Sequence, residues 1–105
     1  MTVTLFRVYC GLNEPGGDNS ASMCQQRGDV VVKLAGKIFQ GFTSYDAVGS
    51  WKGETEPTKI VELMCQQSEL NKMSADVYEF AKCYKDLANQ ESVMIIKSEV
   101  GGDFV

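Results

Sequence analysis

A chain of 105 residues with 44% hydrophobic and 10% aromatic residues has the composition of one globular domain, large enough for a single core and too small for two. Its formal net charge of -4 argues against binding a nucleic-acid polymer, which needs clustered Lys and Arg, and no run approaches the ~18 apolar residues of a membrane span. One lysine or arginine with backbone N–H groups at a helix start could still hold a small anion.

The N-terminal segment MTVTLFRVYCGL alternates polar and apolar residues and lacks a basic start and a small-residue cleavage site. It predicts a strand over Thr2 to Gly11 and not a signal peptide, so a cytoplasmic location is expected. Phe6, Val8 and Cys10 then face one way and Val3, Leu5, Arg7 and Tyr9 the other. The segment Leu12 to Asn19 is rich in turn formers, and Asp18, Asn19 or Ser20 can cap a following helix. Its glycines and Asn13 expose backbone N–H groups ahead of that helix, where anions are stabilised.

Met23, Arg27, Val30, Val31, Leu34, Ile38 and Phe39 recur at helical spacing and predict a helix over Ala21 to Gln40, capped by Gly41. Gly28 and three successive valines weaken it, so a break near Gly28 or a start at Asp29 is the alternative. Phe42 to Lys52 is rich in residues that favour a pleated surface and predicts a second strand, with a turn over Gly53 to Pro57. In the third strand, Thr58 to Gln66, Val61, Leu63 and Cys65 are expected to face the helices, opposite Ile60, Glu62 and Met64.

Ser74 can cap a second helix whose apolar stripe is Val77, Phe80, Ala81, Tyr84, Leu87 and Ala88, ended by Asn89 or Gln90. The last strand, Ser92 to Val100, contains the apolar run VMII, which reads as a buried central strand. The order β-α-β-β-α-β, with right-handed crossovers, gives an α+β ferredoxin-like fold: one domain over 1–105, a four-stranded antiparallel sheet and both helices on one face. The other sheet face, with Val3, Leu5, Tyr9, Ile60 and Met64, is left uncovered and is expected to be an oligomer interface.

Chemistry leaves few candidates. The chain has no histidine, no nucleophile elbow and no P-loop, so no catalysis, cofactor or metal is expected. Cys10, Cys24, Cys65 and Cys83 form no C-x-x-C pair and read as small buried hydrophobes in a reducing compartment. Glu54, Glu56, Glu62 and Asp46 read as solvated, turn or hydrogen-bonding residues. Tyr45 and Trp51 share one face of the second strand, where they fill the core or, on the uncovered face, stack on a base.

Three pieces of the chain, YCGLNEPGGD, GFTSYDAVGSWKGETEPTKIVEL and YKDLANQESVMI, together resemble two groups. One is an uncharacterised bacterial family of ferredoxin-like domains with D-A-x-G-x-W, E-P-S-K and Q-E-S-V, which Trp51 and Glu56-Pro57-Thr58-Lys59 approach. The other is the phage Thoeris anti-defence family of the first described type, whose matching positions are Gly11, Leu12, Asn13, Gly41, Thr43, Ala47, Gly49, Gln90 and Ser92. That second resemblance implies a homo-oligomeric sponge that sequesters a cyclic nucleotide signal, such as a cyclic ADP-ribose isomer or a cyclic oligonucleotide, without cleaving it. It would act in the host cytoplasm if phage-encoded. Taken with the uncovered sheet face and the loop before the first helix, the expected ligand-binding residues are Arg7, Tyr9, Asn13, Thr43, Tyr45, Trp51, Lys52, Lys59, Gln90 and Ser92, with aromatics stacking, cations facing phosphate, and Asn13 and Gln90 reading polar edges. The alternative is an oligomeric protein-interaction module with no small-molecule ligand.

Overall fold

The computed structural model describes residues 1–105 apart from the side chain of Trp51. The element order is β1 (Thr2–Gly11), α1 (Ala21–Ile38), β2 (Thr43–Trp51), β3 (Glu54–Gln66), a short 3-10 turn (Gln67–Glu69), α2 (Leu70–Leu87) and β4 (Met94–Gly101). All strand pairs are antiparallel, in the order β2-β3-β1-β4. With both helices packed on one face, this is the expected ferredoxin-like α+β fold.

The core lies between that face and the helices. Phe6, Val8 and Cys10 of β1 and Val61, Leu63 and Cys65 of β3 meet Val31 and Ala35 of α1 and Val77, Phe80 and Tyr84 of α2. Phe39 closes one end edge-on against Phe80, with ring centroids 5.6 Å apart. Burying each such large apolar side chain contributes roughly 1.5–3 kcal/mol, which holds the helices to the sheet.

Ser20 caps α1, its Oγ accepting from the Met23 N–H. Gly28 does not break α1. It is buried inside the helix, where an added Cβ would stand 3.4 Å from Lys59 Cε and 3.6 Å from Leu12 Cδ1. The helix ends at Ile38, with Phe39 already extended, so Gly41 is not its cap. Tertiary packing decides this: Phe39 leaves the helix to reach Phe80. Val30, placed on the expected stripe, is exposed, and Cys24 and Gly28 are buried in its stead.

The β2–β3 turn is tighter than expected. It is made by Lys52 (φ 51) and Gly53 (φ 81), the two successive positive φ values of the hairpin turn that matches strand twist. The expected turn over Gly53 to Pro57 is therefore mostly strand, and β3 begins at Glu54. Pro57 is tolerated because its carbonyl accepts from Leu12 N–H on the β1 side, just past the end of β1. A strand residue's N–H and C=O point the same way, so the missing donor also faces that side and β2 loses nothing.

Ser74 lies inside α2, which starts a turn earlier at Leu70 without a side-chain cap and after the 3-10 turn. Leu87 is exposed although it continues the stripe. α2 ends in a Schellman motif: Asn89 takes φ 52, Gln90 N–H donates to Lys85 O, and Asn89 N–H to Asp86 O. β4 is an edge strand and not the central strand that its apolar run suggested. The two crossovers set β1 and β3 in the middle regardless of which strand is most apolar, and Met94 and Ile96 stay exposed on the uncovered face.

Candidate ligand-binding face

Strand register sorts the candidate residues onto two faces. On the uncovered face one cross-strand row runs Tyr45, Ile60, Tyr9, Met94, and the next runs Thr43, Glu62, Arg7, Ile96. Four of the expected ligand residues, Arg7, Tyr9, Thr43 and Tyr45, are thus neighbours. Arg7 Nε donates to Glu62 Oε1 at 2.8 Å, and Tyr45 OH donates to the same oxygen at 3.4 Å. The hydrogen bond to Glu62 pushes the Arg7 guanidinium pKa up, so the group stays charged. Ile60, Leu5 and Val3 are buried beneath this surface, Tyr9 is half-buried, and Met64, Met94 and Ile96 are exposed at its margin.

The result is an apolar floor with a fixed cation, a carboxylate and two phenol rings. Such a surface can stack a flat ring on Tyr9 or Tyr45, accept an amino group at Glu62 and pair an anionic group with Arg7. Glu62 was legible only as one of several surface carboxylates; its position opposite Arg7 depends on the register between β1 and β3.

Asn13 and Gln90 also come together, at the loop just past the end of β1. Gln90 Nε2 donates to Asn13 O at 2.7 Å, tying the β1–α1 loop to the end of α2. Asn13 N–H donates to Glu56 Oε2, and Asn13 Oδ1 accepts from the Cys24 thiol. The loop is built around Arg27. Its Nη1 donates to Leu12 O at 2.8 Å and Asn19 Oδ1 at 3.1 Å, and its Nη2 to Asp18 O at 2.8 Å and Glu14 Oε2 at 3.4 Å. Tyr84 OH donates to Gly11 O, and burial pushes that phenol well above the usual tyrosine range.

The loop donors expected to meet an anion are largely occupied: Glu14 N–H goes to Asn19 Oδ1, and Ser20 N–H to Asp18 Oδ1. That hydrogen bond holds the Asp18 carboxyl below the usual range. The Glu56 carboxylate lies so close over Gly11 that a Cβ there would come within 2.8 Å of it. A groove of about 270 Å³ beside this network, between α1 and α2, is lined by Glu14, Met23, Arg27, Val30 and Leu87. Arg27 was legible in the sequence as a charge on an apolar helical stripe.

The remaining candidates are dispersed. Lys59 is on the helix-covered side, its stem against Gly28 and its Nζ 2.6 Å from Asp46 Oδ1. Lys52 sits in the hairpin turn, and Ser92 is exposed ahead of β4. The side chain of Trp51 lies outside the described residues. All four cysteines are free, Cys10, Cys24 and Cys65 are buried, and burial pushes the Cys10 thiol up to about 12. Among the described residues no group of acidic or cysteine side chains could hold a metal, and no helix is long and apolar enough to cross a membrane.

The family described as "Protein of unknown function (DUF3574)" matches residues 6–104. The chain belongs to that family. No curated protein matches it. Among solved structures it is similar to a phage SAM lyase in its apo state, with 15% identity over 91% of this chain and 79% of that one and a TM-score of 0.61. The phage SAM lyase in complex with S-methyl-5'-thioadenosine is similar at 14% identity over 92% and 81%, with a TM-score of 0.56. At such identity the likeness is one of fold, and it agrees with the sheet order and helix placement described above.

Proposed function

We propose that this DUF3574 chain is a small-molecule sponge, which holds a nucleotide-type signal on its uncovered sheet face without breaking a bond in it. The observation that carries this reading is the convergence of Arg7, Tyr9, Tyr45 and Glu62 on one uncovered face with an apolar floor. A base stacks on a tyrosine, its exocyclic amine donates to Glu62, and phosphate meets Arg7. The phage SAM lyase neighbour takes S-methyl-5'-thioadenosine, which carries an adenine and a ribose, so a related fold is compatible with a nucleoside ligand. The absence of histidine supports binding without catalysis. A role in evading host defence, through a cyclic ADP-ribose isomer or a cyclic oligonucleotide, rests on the resemblance to the Thoeris anti-defence family.

The test is incubation with cyclic ADP-ribose isomers, cyclic oligonucleotides, S-methyl-5'-thioadenosine and S-adenosylmethionine, followed by removal of free ligand, heat denaturation and mass analysis of what is released. At least one is expected to come back intact, and Tyr45→Ala is expected to lose it. Retention of none sinks the proposal, and conversion of S-adenosylmethionine to products replaces the sponge with an enzyme. Exposed Met64, Met94 and Ile96 favour a second reading, a protein-interaction module. Native mass spectrometry of protein from cells separates the two, because the module is a ligand-free oligomer.

A further inference from the structure

β4 is the outer strand of the sheet and, among the described residues, pairs only with β1. Its pairing runs without a bulge from Met94 to Gly101 and it contains no proline, so two common devices that blunt an edge strand are missing. Gly102 N–H donates to Met1 O, on the β1 side. Backbone groups alternate along a strand, so Met94, Ile96, Ser98 and Val100 also point toward β1. The N–H and C=O groups of Ile95, Lys97, Glu99 and Gly101 therefore point outward, an unpaired ladder of four residues.

From this edge we infer that two copies of the chain join through β4, antiparallel, with Ser98 on the two-fold axis. In that register Lys97 of each copy lies opposite Glu99 of the other, and Ile95 lies opposite Gly101. All four are outward-pointing residues, so each pair can exchange both ladder hydrogen bonds. Ile96 meets Val100 on the uncovered face, where the first is exposed and the second half-buried.

Charge selects the register. An axis at Lys97 sets lysine against lysine, and one at Glu99 sets glutamate against glutamate. An axis at Ile96 leaves both charges opposite apolar residues, and a slip by one residue turns the helix side of one strand to the open side of the other. The other edge, β2, has Asp46 as its sole charged residue, so no self-pairing of β2 matches opposite charges.

Space is available as well. A groove of about 500 Å³ runs beside β4, lined by Tyr78, Lys82, Lys85, Val93 and Ile95. The incoming strand brings Gly101 to Ile95, and a glycine leaves that room to Tyr78. The sheet becomes eight-stranded, and the two uncovered faces merge across Met94 and Ile96. This pairing stands whether or not the face holds a small ligand, since none of its contacts involves one.

Sedimentation of the wild-type chain over a concentration series, together with Lys97→Glu, Glu99→Lys and the double exchange, tests the pairing. The wild type is expected to dimerise, and each single exchange to raise the dissociation constant at least about tenfold by setting like charges opposite each other. The double exchange restores dimerisation. Ser98→Cys is expected to form a disulfide between the two copies of residue 98, found by peptide mapping, because non-hydrogen-bonded antiparallel partners stand about 4.5 Å apart at Cα. A wild type that stays monomeric, a dimer indifferent to the single exchanges, or a dimer without the residue 98 linkage overturns the inference. Both charges are exposed, so each variant is expected to stay folded, with a melting temperature lowered by no more than the lost association accounts for; should a single variant unfold, the residue 98 linkage decides.

Discussion

Replacing Arg27 by Met deletes the guanidinium and keeps most of the apolar stem, so it measures what the loop between β1 and α1 draws from that one group. Arg27 is 8% exposed and makes four hydrogen bonds, three to neutral oxygens and one to Glu14. A bond from a charged donor contributes about 1.5–3 kcal/mol when its acceptor cannot turn to water. That condition holds best for the carbonyl of buried Leu12; the exposed Asp18 and Asn19 acceptors recover water. Relief of the buried charge offsets part of the loss. The net cost is about 3 kcal/mol. With an unfolding entropy of about 2.1 cal/mol/K per residue over 105 residues, the melting temperature falls by roughly 14 °C. Circular dichroism melts of the wild type, Arg27→Met and Arg27→Lys give the comparison, with Lys intermediate because it keeps a charge but not the fork. A fall of less than about 4 °C for Arg27→Met would refute the assignment of the loop's order to this side chain.

Gly28→Ala is expected to stabilise the chain by up to about 1 kcal/mol, because its Cβ would make ordinary contacts and alanine is the better helix former; a lower melting temperature would show that the space beside Lys59 and Leu12 does not admit a methyl group. Stability is expected to fall between pH 9 and 10. The Cys10 thiol is raised in the folded chain to about 12, so its contribution is intact below the unfolded pKa and is lost as pH rises toward the folded one, at roughly 1.4 kcal/mol per pH unit. Urea titrations at the two pH values should show a flatter dependence in Cys10→Ala, and an equal slope in both chains would contradict the burial of that thiol.

Strand alternation in β1 and β3, the apolar stripe of α2 and the order of elements were legible because each depends on periodicity along the chain. The faces of Phe6, Val8, Cys10, Val61, Leu63 and Cys65 follow from that periodicity, and all six lie in the core. Boundaries were less legible. Whether α1 ends at Ile38 or Gln40 depends on the pull of Phe80 on Phe39, and β3 extends to Glu54 because β2 is there to pair with it. Apolar content misplaced β4, since crossover handedness and not hydrophobicity sets strand order.

The amino-acid sequence by itself determined the fold class and which side chains share a strand face, because both follow from local repeat. Tertiary structure alone decided which candidates meet. Register placed Glu62 between Arg7 and Tyr45, the Asn13–Gln90 contact needed two elements distant in the chain, and Lys59 was taken by Asp46 on the helix side. Pairing across strands is a long-range choice, fixed by how the whole core packs, and no local pattern carries it.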